Sequence, residues 1–81
     1  MNKKELLSLI KNALKTSSAI TDESSEKNTK EWDSLGFLSI LTALDKKTKG
    51  KTSKINSLAS ANSVKKIINI LIKEKILKKI N

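Results

Sequence analysis

An all-α fold, a small four-helix bundle of three main helices and one short one, is predicted for this 81-residue chain by three observations. Apolar residues recur at helical spacing in three separate segments. Polar stretches with almost no apolar content divide these segments. Residues suited to N-capping open the second and the last of them. In so short a chain the three amphipathic stripes can cover only one another, which defines a single domain over residues 1–81. A core of that size contributes roughly 3 to 5 kcal/mol of net stability, and it leaves no room for a large enclosed active site.

The first helix is expected from about residue 3 to 16. Leu6, Leu7, Leu9, Ile10, Ala13 and Leu14 form one stripe, backed by Lys3, Lys4, Ser8, Lys11 and Lys15. Thr16 to Lys30 is rich in Ser, Thr, Asp, Glu, Lys and Asn and reads as a long surface loop anchored by Ile20. The second helix starts at Asp33 or Ser34, either of which can cap it, and runs to about Lys47. Its apolar face comprises Phe37, Leu38, Ile40, Leu41 and Leu44, and its outer face Leu35, Ser39, Thr42 and Lys46.

Lys46 to Lys54 holds Gly50 and no apolar residue, so a second loop is expected there. Ile55, Leu58, Ala59 and Ala61 suggest the short helix. Asn62 or Ser63 then caps a final helix striped by Val64, Ile67, Ile68, Leu71 and Ile72. After Glu74 the pattern slips: on a continued helix Ile76, Leu77 and Ile80 would point away from the stripe. Either the helix bends there or these residues face solvent or a partner. Leu6, Ile10, Leu14, Leu38, Leu41, Val64, Ile68 and Leu71 are the expected core.

Composition excludes more than it assigns. The sequence has no Cys and no His, which removes disulfides, thiolate metal sites and the commonest general base. No metal site is expected, and no acid, base and nucleophile can be assembled into a catalytic cluster, so the chain is read as not an enzyme. There is no apolar run of the roughly 18 residues that a membrane span needs and no signal-peptide core, so a soluble, cytoplasmic monomer is expected. The net charge is +9, and every basic residue is Lys. Residues 1–34 are balanced, and the whole excess follows Ser34, where eleven Lys face only Asp45 and Glu74. Such asymmetry suits an acidic partner, nucleic acid or an anionic membrane, and compositional drift toward Lys would leave the same trace.

One short stretch carries the functional reading: Glu31, Trp32, Asp33, Ser34, Leu35 and Gly36, which place a serine where the second helix begins. Helix capping alone accounts for an Asp-Ser pair at such a position. The order of elements adds to it, since a helix and a polar loop precede the serine and two further apolar segments follow. The layout resembles that of acyl and peptidyl carrier proteins. In that family the serine of an Asp-Ser-Leu triplet opens the second helix of a four-helix bundle and carries a 4'-phosphopantetheine arm.

The resemblance implies attachment at Ser34, flanked by Asp33, Leu35 and Gly36, with Leu35, Phe37, Ser39, Thr42 and Lys46 offered to partners. It also implies as partners a phosphopantetheinyl transferase, an acyl- or aminoacyl-activating ligase and acyltransferases. Gly36 suits either a close approach to the backbone or plain tolerance in a first helical turn. Trp32, just before the cap, is placed to staple the loop to the helix. The Trp-Asp-Ser-Leu run resembles some free-standing carriers of specialised pathways.

Two departures stand out. Typical fatty-acid carriers are acidic, whereas here the second helix offers only Asp45. Thr48 stands where the family keeps a Phe, which implies a thinner or differently filled core. The competing readings are a small basic helical protein docking on an acidic partner or nucleic acid, and a carrier-like scaffold that never receives the arm. The absence of Arg and the two aromatic residues count against nucleic-acid readout.

Overall fold

The computed structural model describes residues 1–78, so the expectation placed on Ile80 lies outside the described residues. Three α-helices form: α1 (Lys3–Leu14), α2 (Ser34–Lys47) and α3 (Val64–Lys73). Between α2 and α3 the chain makes two 3₁₀ turns, Thr52–Lys54 and Asn56–Ser60. Among the described residues there is no strand beyond an isolated Ser25–Ser63 bridge, and no helix is long and apolar enough to cross a membrane.

Each helix begins where a side chain can take an orphan amide. Asn2 caps α1 in a reciprocal box: Asn2 Oδ1 accepts from Glu5 N–H at 2.8 Å and Glu5 Oε1 accepts from Asn2 N–H at 3.0 Å. The Asn2 backbone bond holds the Glu5 carboxyl below its ordinary value, against the opposing effect of desolvation and with the aid of the nearby Lys47 and N-terminal charges. The lowered value means that Glu5 adds stability above its unfolded pKa, and that this is lost as pH falls through its folded one. Ser63 caps α3, its hydroxyl accepting from Lys66 N–H at 3.2 Å.

All three helices end alike. The amide five residues on returns to Lys11 O, Asp45 O or Leu71 O, and the residue before it adopts the left-handed conformation. That residue is Lys15, Lys49 and Lys75, with φ of 54°, 57° and 60°. Glycine or asparagine ordinarily sits there, because a Cβ at positive φ is strained.

One core unites the elements. Leu6, Ile10 and Leu14 of α1 meet Ile40 and Leu44 of α2 and Val64, Ile67 and Leu71 of α3, with Ile20, Trp32, Leu58, Ala61 and Leu77 closing the edges. Fully burying a side chain of this kind stabilises by about 1.5–3 kcal/mol. Helices α1 and α2 run antiparallel: Leu14 lies against the first turn of α2, and Glu5 reaches Lys47 at 3.7 Å in its last turn.

The long loop is held by more than Ile20. Ser24, Thr16 and Thr29 are buried as well. Ser24 O accepts from Val64 N–H at 2.9 Å, and Asn62 O accepts from Glu26 N–H at 3.1 Å, so the loop is tied to the start of α3. Asn28 braces it internally, taking Ser25 N–H on Oδ1 at 2.9 Å and donating from Nδ2 to Glu23 O at 2.8 Å.

Several expectations change in the structure. The first helix stops at Leu14 rather than 16, ended by the left-handed Lys15. The short third helix is a pair of 3₁₀ turns, and its periodicity explains why. Thr52, Ile55, Leu58, Ala61 and Val64 recur every third residue and face inward or are half-buried, which matches three residues per turn, while Ala59 is exposed. Leu38 is 59% exposed instead of buried, and Leu41 and Ile68 are half-buried at the rim.

The slip after Glu74 is the end of α3. The chain turns at Lys75, Ile76 N–H and Leu77 N–H both reach Leu71 O, and Leu77 returns to the core at 3% exposure. Thr48 ends α2 by donating its hydroxyl to Leu44 O at 2.8 Å.

Replacing Lys15 with Gly is expected to relieve the left-handed strain and raise stability by about 0.5–1 kcal/mol, or roughly 2–6 °C in Tm. Lys11→Gly, within α1, is expected to lose about 1 kcal/mol. Thermal unfolding of the two variants should therefore move in opposite directions, and parallel shifts would contradict the left-handed assignment.

Candidate functional site

The first turn of α2 is organised by Asp33, not by Ser34. Asp33 has extended backbone (φ −101°, ψ −166°), and its Oδ1 accepts from Gly36 N–H at 2.8 Å while its carbonyl accepts from Phe37 N–H at 2.8 Å. Of the two candidate caps the acid takes the role. The Ser34 hydroxyl is thereby spared and stands exposed in the first turn, at the positive end of the helix dipole.

Trp32, immediately before the cap, is 3% exposed and belongs to the core cluster, with Phe37 packed against that cluster four residues after the cap. This is the spacing of a hydrophobic staple, and it fixes the angle at which the loop enters the helix. Trp32 N–H also donates to Thr29 O at 2.9 Å, so the approach to Asp33 is braced on its backbone.

Gly36 has a structural reason that the sequence did not disclose. A Cβ there would overlap the Glu31 carbonyl oxygen and press on Leu14 Cδ2 at 2.8 Å. The close approach is made by this chain's own loop and by the end of α1. No positive φ is involved; the glycine serves contact, not turn geometry.

Along α2 the outward face carries more apolar surface than expected. Leu35 is 76% exposed and Leu38 59%, and at 100° per residue both lie on the side of Ser34, opposite the buried Ile40 and Leu44. Ser39, Thr42 and Lys46 are exposed on the same side, whereas Phe37 is half-buried against the core.

Further along the helix this face borders a groove of about 540 Å³ between α2 and the 3₁₀ turns, lined by Leu41, Thr42, Asp45, Ile55, Leu58 and Ala59 among others. Asp45 is half-buried and accepts from Ser53 N–H at 3.2 Å, so the acid of this helix braces the groove wall. Sequence alone does not disclose the groove, because its walls meet only where the 3₁₀ turns fold back beside α2. The one local hint was the three-residue spacing of Ile55, Leu58 and Ala61.

The arrangement is an exposed primary hydroxyl on a rigid helix start, two exposed leucines beside it and a partly apolar groove along the same helix. Comparison with protein-family models, curated proteins and solved structures finds no match for this chain.

Asp33→Ala is expected to cost about 0.5–2 kcal/mol through loss of the cap. Ser34→Ala should stay within about 0.5 kcal/mol of the parent. Gly36→Ala should lose about 1–3 kcal/mol despite the better helix propensity of Ala, because the Glu31 carbonyl is backbone and cannot swing aside. Urea unfolding gives the ranking, and a Ser34→Ala loss equal to that of Asp33→Ala would reassign the cap.

Proposed function

We propose that this chain is a carrier module that bears an acyl or aminoacyl group on a 4'-phosphopantetheine arm attached through Ser34 and presents it to partner enzymes of a specialised biosynthetic pathway. The observation that carries the reading is the division of labour between neighbours: Asp33 caps α2, which leaves the Ser34 hydroxyl exposed and uncommitted.

The residues present suit the group. A phosphodiester on Ser34 Oγ would lie at a helix N-terminus, where free amides and the macrodipole favour negative charge. When attached, the arm supplies the thiol that holds the cargo. This chain's own part is to orient the hydroxyl, and no internal base is required. In the transfer from coenzyme A, Ser34 Oγ bonds to phosphorus as the pyrophosphate bond breaks. Adenosine bisphosphate departs, and the hydroxyl proton passes to a base of the phosphopantetheinyl transferase.

Leu35 and Leu38 offer the visiting enzyme an apolar foothold beside the attachment point, and the groove along α2 gives a short apolar cargo a place out of water. The four-helix carrier architecture belongs to the same proposal, with the two 3₁₀ turns in the place of its short third helix.

Incubation with coenzyme A and a broad-specificity phosphopantetheinyl transferase is expected to add one arm, found by intact mass and mapped to Ser34. Ser34→Ala should remain unmodified while keeping its helical circular dichroism spectrum. An adduct on Ser34→Ala would misplace the site, and no adduct on the folded parent would favour a scaffold.

The charge on α2 bears on the partner. Enzymes built for acidic carriers present basic patches, which Lys46 and Lys47 would repel, so the dedicated partner is expected to dock through an acidic or apolar surface. Lys46→Glu should slow association with that partner, less so as salt rises. Equal turnover by standard fatty-acid synthase enzymes and indifference to the substitution would remove any recognition role from this lysine.

A further inference from the structure

The antiparallel packing of α1 and α2 gives the molecule two poles. Ser34 and Trp32 mark one, together with the end of α1 at Leu14. At the other, Met1 meets the ends of α2 and α3, and Met1, Lys47, Thr48, Lys51, Lys75 and Ile76 surround one shallow depression of about 190 Å³. Lys78 N–H reaches Met1 O at 3.4 Å, which brings a further lysine to the same place. The length of α2, about 20 Å at 1.5 Å per residue, separates the poles.

The lysines are set differently at the two poles. In the stretch leading into Ser34, Lys27 and Lys30 alternate with Glu26, Glu31 and Asp33, and Lys15 follows the end of α1. At the far pole Lys47, Lys49, Lys51, Lys75 and Lys78 are all exposed, and the acids near them among the described residues are Glu5, Asp22, Asp45 and Glu74, none of which lines the depression around Met1. Glu5 engages Lys47 at 3.7 Å with both side chains half-exposed, a weak pair that leaves the excess in place. The structure brings three lysines distant in sequence, Lys47, Lys51 and Lys75, around one depression whose lining holds no acid.

We propose that this lysine pole is a docking surface for an anionic lipid bilayer, which the protein meets with Ser34 directed away from the membrane. The chemistry of the pole selects the bilayer over other polyanions. Specific protein interfaces draw on aromatic residues and Arg and are depleted in Lys, and nucleic-acid sites stack bases on aromatics or read them with Arg. Neither residue type is present at this pole.

Flexible Lys ammoniums around the half-buried Met1 and Ile76 suit mobile headgroups, which require charge but no shape complementarity. The inference does not depend on the carrier reading of Ser34.

The full chain is tested by sedimentation with vesicles of phosphatidylcholine, with and without an equal part of phosphatidylglycerol. Binding is expected only with the anionic lipid and is expected to be lost at high salt. Reversal of Lys47, Lys51 and Lys75 to Glu should weaken it at least about tenfold, whereas reversal of Lys15, Lys27 and Lys30 to Glu, an equal change in net charge, should leave most of it.

The orientation is read independently of any variant. Trp32 is the chain's one tryptophan and lies at the Ser34 pole, so brominated lipid should not quench it. The proposal is overturned by equal losses in the two triple variants, by Trp32 quenching, by binding to phosphatidylcholine alone, or by binding of duplex DNA without binding of anionic vesicles.

Discussion

The crossing of α1 over the first turn of α2 is the constraint from which the remainder of the structure follows. At Gly36 the two helices and the incoming loop come so close that there is no room for a β-carbon between Glu31 O and Leu14 Cδ2. That contact sets where α1 must end, and Lys15 accordingly takes a left-handed backbone directly after Leu14. It also sets where the loop must exit, and burial of Trp32 beside it holds the exit angle. With entry fixed, Asp33 falls at the cap and Ser34 faces water. The placement of the serine is thus a consequence of backbone packing two residues away, not of any contact made by the serine itself.

Conformational entropy poses the next difficulty, because the segment from Lys15 to Asp33 is long for an 81-residue chain and poor in apolar anchors. Its order comes from short side chains. Hydroxyls and amides of Thr21, Ser24, Ser25 and Asn28 close local turns, and two backbone bonds join Ser24 and Glu26 to residues 62–64. This clamp positions the N-terminus of α3 as well as the loop. The polar composition that marks the stretch as a loop is therefore also what makes it a fixed one.

How much of this the sequence discloses depends on the range of the interactions. The helix starts were readable because caps are local: Asp33 and Ser63 act within three residues of themselves. The stripes of α1 and α3 were readable because their buried residues, Leu6, Ile10 and Leu14 or Val64, Ile67 and Leu71, keep strict helical spacing. Helix α2 was misread at Leu38 because apolar residues occupy most of its circumference, so periodicity cannot say which of them lie inside. The short helix expected from Ile55, Leu58, Ala59 and Ala61 is a pair of 3₁₀ turns, because so few apolar residues cannot tell a period of 3.0 from one of 3.6. The role of Gly36 depends on how the incoming loop and the end of α1 pack against it, and the groove beside Leu41 on how the 3₁₀ turns fold back along α2, which periodicity does not disclose.

The same distinction separates the charge at the two ends of the molecule. In the sequence, the lysines after Ser34 form one undivided excess, and drift and recognition leave identical traces. Folding sorts them. Lys65 is drawn toward Glu23 at 3.0 Å, and Lys3, from the balanced half of the chain, reaches Asp22 at 2.5 Å. Lys47, Lys51 and Lys75, separated by up to 28 positions in the chain, gather beside Met1 where the helices α2 and α3 terminate. Helix C-termini are where cations are least costly, since the carbonyl ends carry the negative end of the macrodipole. Two helix C-termini, those of α2 and α3, meet at this pole and favour the lysines gathered there.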